Sequence, residues 1–234
     1  MYLFRLLYFF MEHNYIVLIL SVVGGVLLAH FIKKHKKISE LLLVFSGAYL
    51  LVVTILKNLP TLSEANDKSV WLMILVGILI QMVLESLSKG VEHGHIHHHQ
   101  KLSISIIFGL MMHSFLEGMP ITEHNEHAHD TAIAIAIHNV PIAAILFYYL
   151  EEILPDKFWA YSIMLLFAFI TPLGALVGNY TSLSQYPYHI SAMVSGIFLH
   201  ISTTILFENS SKGHKISYFK IASIILTTIL VWNM

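Results

Sequence analysis

Cysteine is absent from the 234-residue chain, which removes a disulfide framework, a thiolate zinc site and a cysteine nucleophile together. Charge is scarce as well. Asp, Glu, Lys and Arg make up 12% of the residues, against about a quarter in ordinary soluble domains, and the shortage runs along the whole length. The net charge is −1, and the lysines gather in loops rather than on one basic face, so no nucleic-acid partner is implied. Met1 to Met11 holds one arginine and an apolar run but no small-residue cleavage site, and is expected to be mature chain rather than a removed signal.

What is plentiful is apolar sequence, 56% of the chain, arranged in runs. A bilayer core of about 30 Å is crossed by about 20 helical residues. Candidate spans are Tyr15 to Ile32, Ile38 to Leu56, Val70 to Leu87, Leu102 to Ile121, Thr131 to Leu150, Phe158 to Val177, His189 to Phe207 and Ile216 to Trp232, eight in all. Lipid-exposed backbone must satisfy its own hydrogen bonds, and these runs are too long and too uniformly apolar for barrel strands. The expectation is an all-α integral membrane protein with one domain over residues 1–234 and the lipid bilayer as its surroundings.

Basic residues in alternate loops orient such a bundle. Lys33, Lys34, Lys36, Lys37, Lys89, Lys101, Lys157, Lys212, Lys215 and Lys220 fall on one side, and Arg5, Lys57 and Lys68 on the other, ten against three. The first side is expected to be cytoplasmic, with both termini outward. Residues 88–101 then form a cytoplasmic loop with five histidines among residues 93–99. Imidazoles on a tether bind zinc, copper or nickel with little selectivity; the bland alternative is a polar linker. Across the membrane, Glu123 to Asp130 supplies His124, His127 and His129 at the mouth of the next two spans, either as a collecting funnel or as a solvated turn.

Two spans carry ionisable or amide groups in their interior. His113 and Glu117 lie four residues apart in Leu102 to Ile121 and share a helix face, and the following span has His138 and Asn139 just before Pro141. Ionisable groups at membrane depth cost several kcal/mol unless they meet partners, water or an ion. Imidazole, carboxylate and amide oxygen suit a borderline divalent cation such as zinc or iron. Pro141 has no N–H to give the carbonyl of Ile137, so the span is expected to bend there with that carbonyl near His138. Pro120 would act in the same way on Leu116, or simply end its helix. Glu85 and His200 are read as structural, and the glycines as positions of close helix contact that also permit a homodimer.

These fragments, in this order, resemble the ZIP (ZRT/IRT-like) divalent-metal transporters. Gly109-Leu110-Met111-Met112-His113-Ser114-Phe115-Leu116-Glu117-Gly118 is similar to that family's His-Asn/Ser-x-x-Asp/Glu-Gly signature, and Ala136-Ile137-His138-Asn139-Val140-Pro141 to its His-Glu/Asn-x-Pro segment. Lys57-Asn58-Leu59-Pro60, Glu85 ahead of a His-rich loop, Thr171-Pro172-Leu173-Gly174 and the run from Gly196 to Glu208 add weaker echoes over nearly the whole chain. The resemblance implies eight spans, outward termini and a transported divalent metal.

The chain departs from the family pattern at Ile142, where members carry Glu or His; at Ala143, where some carry Glu; and at Lys57, where many carry His. A two-metal site loses ligands there. A single site of His113, Glu117 and His138, completed by Asn139 or Ser114 and water, remains chemically adequate.

The expected function is transport of Zn2+, or of Fe2+, Mn2+ or Co2+, across a plasma or inner membrane, with the metal as substrate and no catalysis. Two alternatives stand beside it. One is a degenerate relative that binds metal to sense or regulate, motivated by Ile142 and Lys57. The other is an intramembrane zinc hydrolase, which needs a base beside bound water and has no His-Glu-x-x-His here. Histidine must be neutral to bind metal, and free imidazoles charge below about pH 6. Metal uptake should therefore fall below about pH 6; a flat rate across that range in a vesicle assay would exclude histidine as the principal ligand.

Overall fold

The computed structural model describes residues 13–32, 36–88, 90, 104–122, 125–207 and 218–234. The opening Met1 to Met11, the histidine-dense stretch Glu92 to His99, and Glu123 and His124 lie outside that description. Every regular element among the described residues is helical. In chain order they are α1 (His13–Ile32), α2 (Lys36–Val53), α3 (Lys68–Ser88), α4 (Ile104–Gly118), α5 (Ala128–Ile153), α6 (Lys157–Tyr180), α7 (Pro187–Phe207) and α8 (Tyr218–Trp232). Helix α2 runs on through a π-helical turn, Thr54–Asn58, into a last α turn, Leu59–Ser63.

Six of these rods, α1, α2 with its extension, α3, α5, α6 and α7, are long and apolar enough to cross a membrane. The other two, α4 and α8, are apolar and 15 residues long among the described residues, where a full crossing takes about 20. Among the described residues there are thus eight apolar helices, six of them full length, while the residues just ahead of α4 and α8 lie outside the description.

Helix α4 stops because Gly118 and Pro120 cannot continue it. The Met119 amide donates to Leu116 O at 3.1 Å and the Ile121 amide to Gly118 O at 3.0 Å, closing tight turns. Pro120 is therefore past the helix end, and the Leu116 carbonyl is taken by Met119 rather than freed. Asn125 Nδ2 donates to Pro120 O at 2.9 Å while Asn125 Oδ1 accepts from the His127 amide at 3.0 Å, which fixes the approach to α5.

Pro60 explains the π turn. It has no N–H for the Leu56 carbonyl and its ring pushes that carbonyl aside, so the helix widens by one residue and the Leu59 amide reaches back to Thr54 O. At the start of α3, Asp67 Oδ1 accepts from the Ser69 amide at 2.8 Å, an end-capping contact. The Ser69 amide, then its hydroxyl, hold the Asp67 carboxyl below the ordinary carboxylate range.

Helix α5 is the centre of the bundle. Of its span 72% is buried inside the molecule, against 22% for α3, and it packs on α1, α2 and α6. Helix α4 lies between α3 and α6, while α7 lies against α2 and α3, and α8 against α2. Outside, Leu72, Leu75, Leu79, Leu165 and Leu230 face outward, and inside lie Gln81, His113, Glu117, His138, Asn139 and Thr131. A soluble protein would have that distribution reversed; lipid as solvent accounts for it. Buried hydroxyls return to their own helices, as in Thr54 Oγ1 to Leu50 O at 2.7 Å and Ser195 Oγ to Ser191 O at 2.7 Å.

Backbone-to-backbone approach between α4 and α6 positions the first motif helix. A β-carbon on Gly118 would overlap the Thr171 carbonyl, and one on Gly174 the Phe115 carbonyl. The helical glycines expected to permit a homodimer are thus mostly used within the chain; a β-carbon at Gly24 is the one that would meet nothing within 4 Å. Gly118→Val should lower stability by about 3 kcal/mol through overpacking, read as a fall in thermal midpoint and in monodisperse protein in detergent, whereas Gly24→Val should leave both unchanged.

Candidate metal centre

Gly109, His113 and Glu117 form one ladder of i, i+4 positions on α4. The glycine end of that ladder touches α3, where a β-carbon on Gly109 would sit 3.0 Å from the Ser88 amide nitrogen and 3.1 Å from Leu84 O. This close approach brings the next rung, His113, against α3 as well. Its Nδ1 lies 3.1 Å from Gln81 Oε1. Helix α5 brings His138 to the same place from the other side, with the two imidazole rings 6.4 Å apart and nearly perpendicular.

His113, Glu117 and His138 each offer a ligand atom within 4.8 Å of the other two, and all three are buried. A tetrahedral zinc ion with bonds of about 2.0–2.2 Å holds its donor atoms about 3.3 Å apart, so the three groups surround one point on the scale of a single ion. Ser114 and Asn139 are buried too, one position on from each histidine and therefore turned about 100° around its helix.

The second partners of the rings decide which nitrogens are available. Ser46 Oγ donates its hydrogen to Leu43 O at 2.9 Å. Its oxygen is left to accept from His138 Nδ1, 3.4 Å away, which leaves Nε2 of His138 as the ring nitrogen that carries a lone pair. For the neutral His113 ring an amide oxygen at Nδ1 favours the same arrangement, with the proton on Nδ1 and Nε2 left as the ligand nitrogen. That Nε2 is 3.0 Å from Glu117 Oε1, yet neither Glu117 oxygen takes part in a hydrogen bond. The two groups are thus close together inside the molecule without a hydrogen bond between them, and ligands with oriented outer partners are how metal sites are arranged.

Other expected residues fall elsewhere. Ile142, one turn beyond His138, is buried in the apolar core, as a residue with no donor atom should be. Glu85 Oε2 and His200 Nε2 pair at 2.6 Å between α3 and α7. Asp130 Oδ2 lies 3.4 Å from His127 Nδ1 and 3.9 Å from Lys57 Nζ, and His129 Nδ1 is 2.8 Å from Asn14 Oδ1. The histidines of that loop within the described residues are therefore engaged with protein partners. A cavity of about 150 Å3, lined by Asn58, Thr61, Pro120, Asn125, Glu126 and Ser191 among others, opens beside the end of α4, three residues past Glu117.

Gln81 and Ser46 do not stand out in the motif reading. Gln81 left a signal, being the one amide or charged side chain between Val70 and Leu84; Ser46 left none, since a small hydroxyl beside a glycine is common in membrane helices.

A multi-pass helical membrane protein with two imidazoles and a carboxylate gathered in its dry interior belongs to the class of metal-handling membrane proteins. The family model described as ZIP Zinc transporter matches residues 88–229, well over half of the chain, and the protein is a member of that family. The match takes in both motif helices, α4 and α5, and leaves α1, α2 and nearly all of α3 outside it. A search of curated proteins finds no match. ZIP proteins are transporters of divalent metals rather than enzymes.

Proposed function

We propose that the protein carries a divalent transition-metal ion, zinc foremost, across the membrane through one site formed by His113, Glu117 and His138. The observation that carries this reading is the pairing of His113 Nε2 with Glu117 Oε1 at 3.0 Å without a hydrogen bond, beside a second imidazole whose Nδ1 is likewise occupied. Water, with Asn139 or Ser114 after rotation of its side chain, completes the coordination. Zinc accepts such a mixed N and O set at four-coordination, and Fe2+, Mn2+ and Co2+ accept it with more oxygen donors.

Orientation follows from the ten-against-three lysine and arginine count, with both termini outward and residues 88–101 as a histidine-rich cytoplasmic loop that receives the ion. In that orientation the cavity beside Asn58 and Glu126 faces outward and the ion passes from it to the site. The whole chain acts as one transmembrane domain. A plasma or inner membrane is its expected location.

Ile142 motivates a second reading, a metal-binding sensor that no longer transports. Uptake of radiolabelled zinc into vesicles, with zinc-dependent thermal stabilisation measured alongside, separates the two. Wild type should take up zinc well above the empty-vesicle rate, and His113→Ala and Glu117→Ala should both fall to that rate while remaining folded. Wild type at the empty-vesicle rate with a zinc-dependent rise in thermal midpoint, which reports binding to the folded state, is the sensor's signature. Undiminished uptake by His113→Ala overturns the site itself.

A further inference from the structure

The cavity beside the end of α4 has an almost wholly apolar floor. Of the described residues that line it, Leu62, Pro120 and Val194 are buried, and the one polar residue buried with them is Asn58. Thr61, Asn125, Glu126 and Ser191 are more exposed. Among the described residues, a cation leaving this cavity for the interior therefore meets apolar side chains except at Asn58. An apolar constriction stops ions by excluding their water, whereas a carbonyl oxygen replaces part of that water.

Asn58 closes the π turn that Pro60 induces, Thr54–Asn58, and such irregular turns recur at functional sites. The residue is only 9% exposed. Its Oδ1 accepts from the Thr131 hydroxyl at 3.1 Å, and Thr131 is its one side-chain partner among the described residues. Thr131 lies seven residues before His138 on α5, which is two turns along one helix face and about 10 Å along the axis. The amide thus meets the cavity on one side and, through Thr131, the face that carries a ligand on the other.

We propose that Asn58 is the threshold residue for metal entry: its carboxamide oxygen exchanges the Thr131 hydroxyl for the incoming hydrated cation and takes the place of one water in the shell of that ion. This rests on the reading of His113, Glu117 and His138 as the transport site. A divalent cation is a stronger partner for an amide oxygen than a neutral hydroxyl is, so the exchange is favoured when an ion arrives. One neutral oxygen does not hold the ion for long, and the imidazoles and carboxylate further in bind it more tightly. The neighbouring cation, Lys57, is engaged with Asp130 at 3.9 Å, which offsets its charge beside the passage.

Initial rates of radiolabelled zinc uptake into vesicles at zinc concentrations below KM, normalised to folded protein, test this in Asn58→Leu, Thr131→Val and His113→Ala, with zinc-dependent thermal stabilisation measured on each. Asn58→Leu should lower the rate by about 10-fold or more and keep the zinc-dependent rise in thermal midpoint, because the site further in is untouched. Thr131→Val removes the hydrogen bond but leaves the oxygen, and should stay within about twofold of wild type. Those results together support the proposal. A near-wild-type rate in Asn58→Leu overturns it, as does loss of its zinc-dependent stabilisation. An equal fall in Thr131→Val also overturns it, because the hydrogen bond and not the oxygen is then what matters. Should Asn58→Leu fail to fold, Asn58→Asp decides: a KM lowered by about 10-fold supports the proposal, and an unchanged or raised KM overturns it. If His113→Ala transports like wild type, the site reading fails and this inference with it. If His113→Ala is silent and Asn58→Leu matches wild type, only this inference fails.

Discussion

Glu117 sets the terms for the rest of the molecule. Its carboxyl group is fully buried, accepts no hydrogen bond and lies 3.0 Å from His113 Nε2. A carboxylate withdrawn from water without donors is among the most expensive groups to hold in a protein interior. Folds tolerate that expense where function uses it. In the proposed function the cost is offset when a cation arrives, because a buried carboxyl group without competing donors is favourable for an ion. A site of this kind does not need many ligands. It needs ligands held in the right orientation, and the two outer partners, Gln81 on His113 and Ser46 on His138, serve that purpose.

The helices are arranged to bring that site together from elements distant in sequence. Helix α4 carries two of the three groups, and its register against its neighbours is set by close contact. Glycines do this: Gly109 seats it on α3, and Gly118 meets α6. Dispersion and close approach drive helix association in lipid, where apolar side chains gain nothing by hiding from one another. Removing side chains at the contact is what allows the polar rungs between the glycines to point inward at short range.

Much of this could be read in the chain before its folding was known. The apolar runs gave the helices, because a membrane span announces itself by length and lack of charge. The pairing of His113 with Glu117 followed from helical pitch, and His138 from its position before Pro141. Two things were not legible, and a third only as one of two readings. The stopping of α4 at Gly118 was the second reading of Pro120, and its turn is set by Pro120 and Asn125 together. The π turn around Lys57 depends on how Pro60 displaces the Leu56 carbonyl. Gln81 lies 32 residues from His113 in a span that carries neither motif, and nothing local links the two; only the seating of α4 on α3 by Gly109 does.

Ile142 gives the site its character. It occupies the position one turn after His138 and is packed into apolar surroundings, so it offers no donor there to a second ion, and the proposed site is a single-ion one. The most direct test is X-ray absorption at the zinc edge of the purified, zinc-loaded protein. The account predicts a shell of nitrogen and oxygen atoms at about 2.0 Å with the scattering pattern of two imidazoles, one of which disappears in His138→Ala. A sulfur-containing shell from the neighbouring methionines, or a shell of oxygen alone, would contradict it.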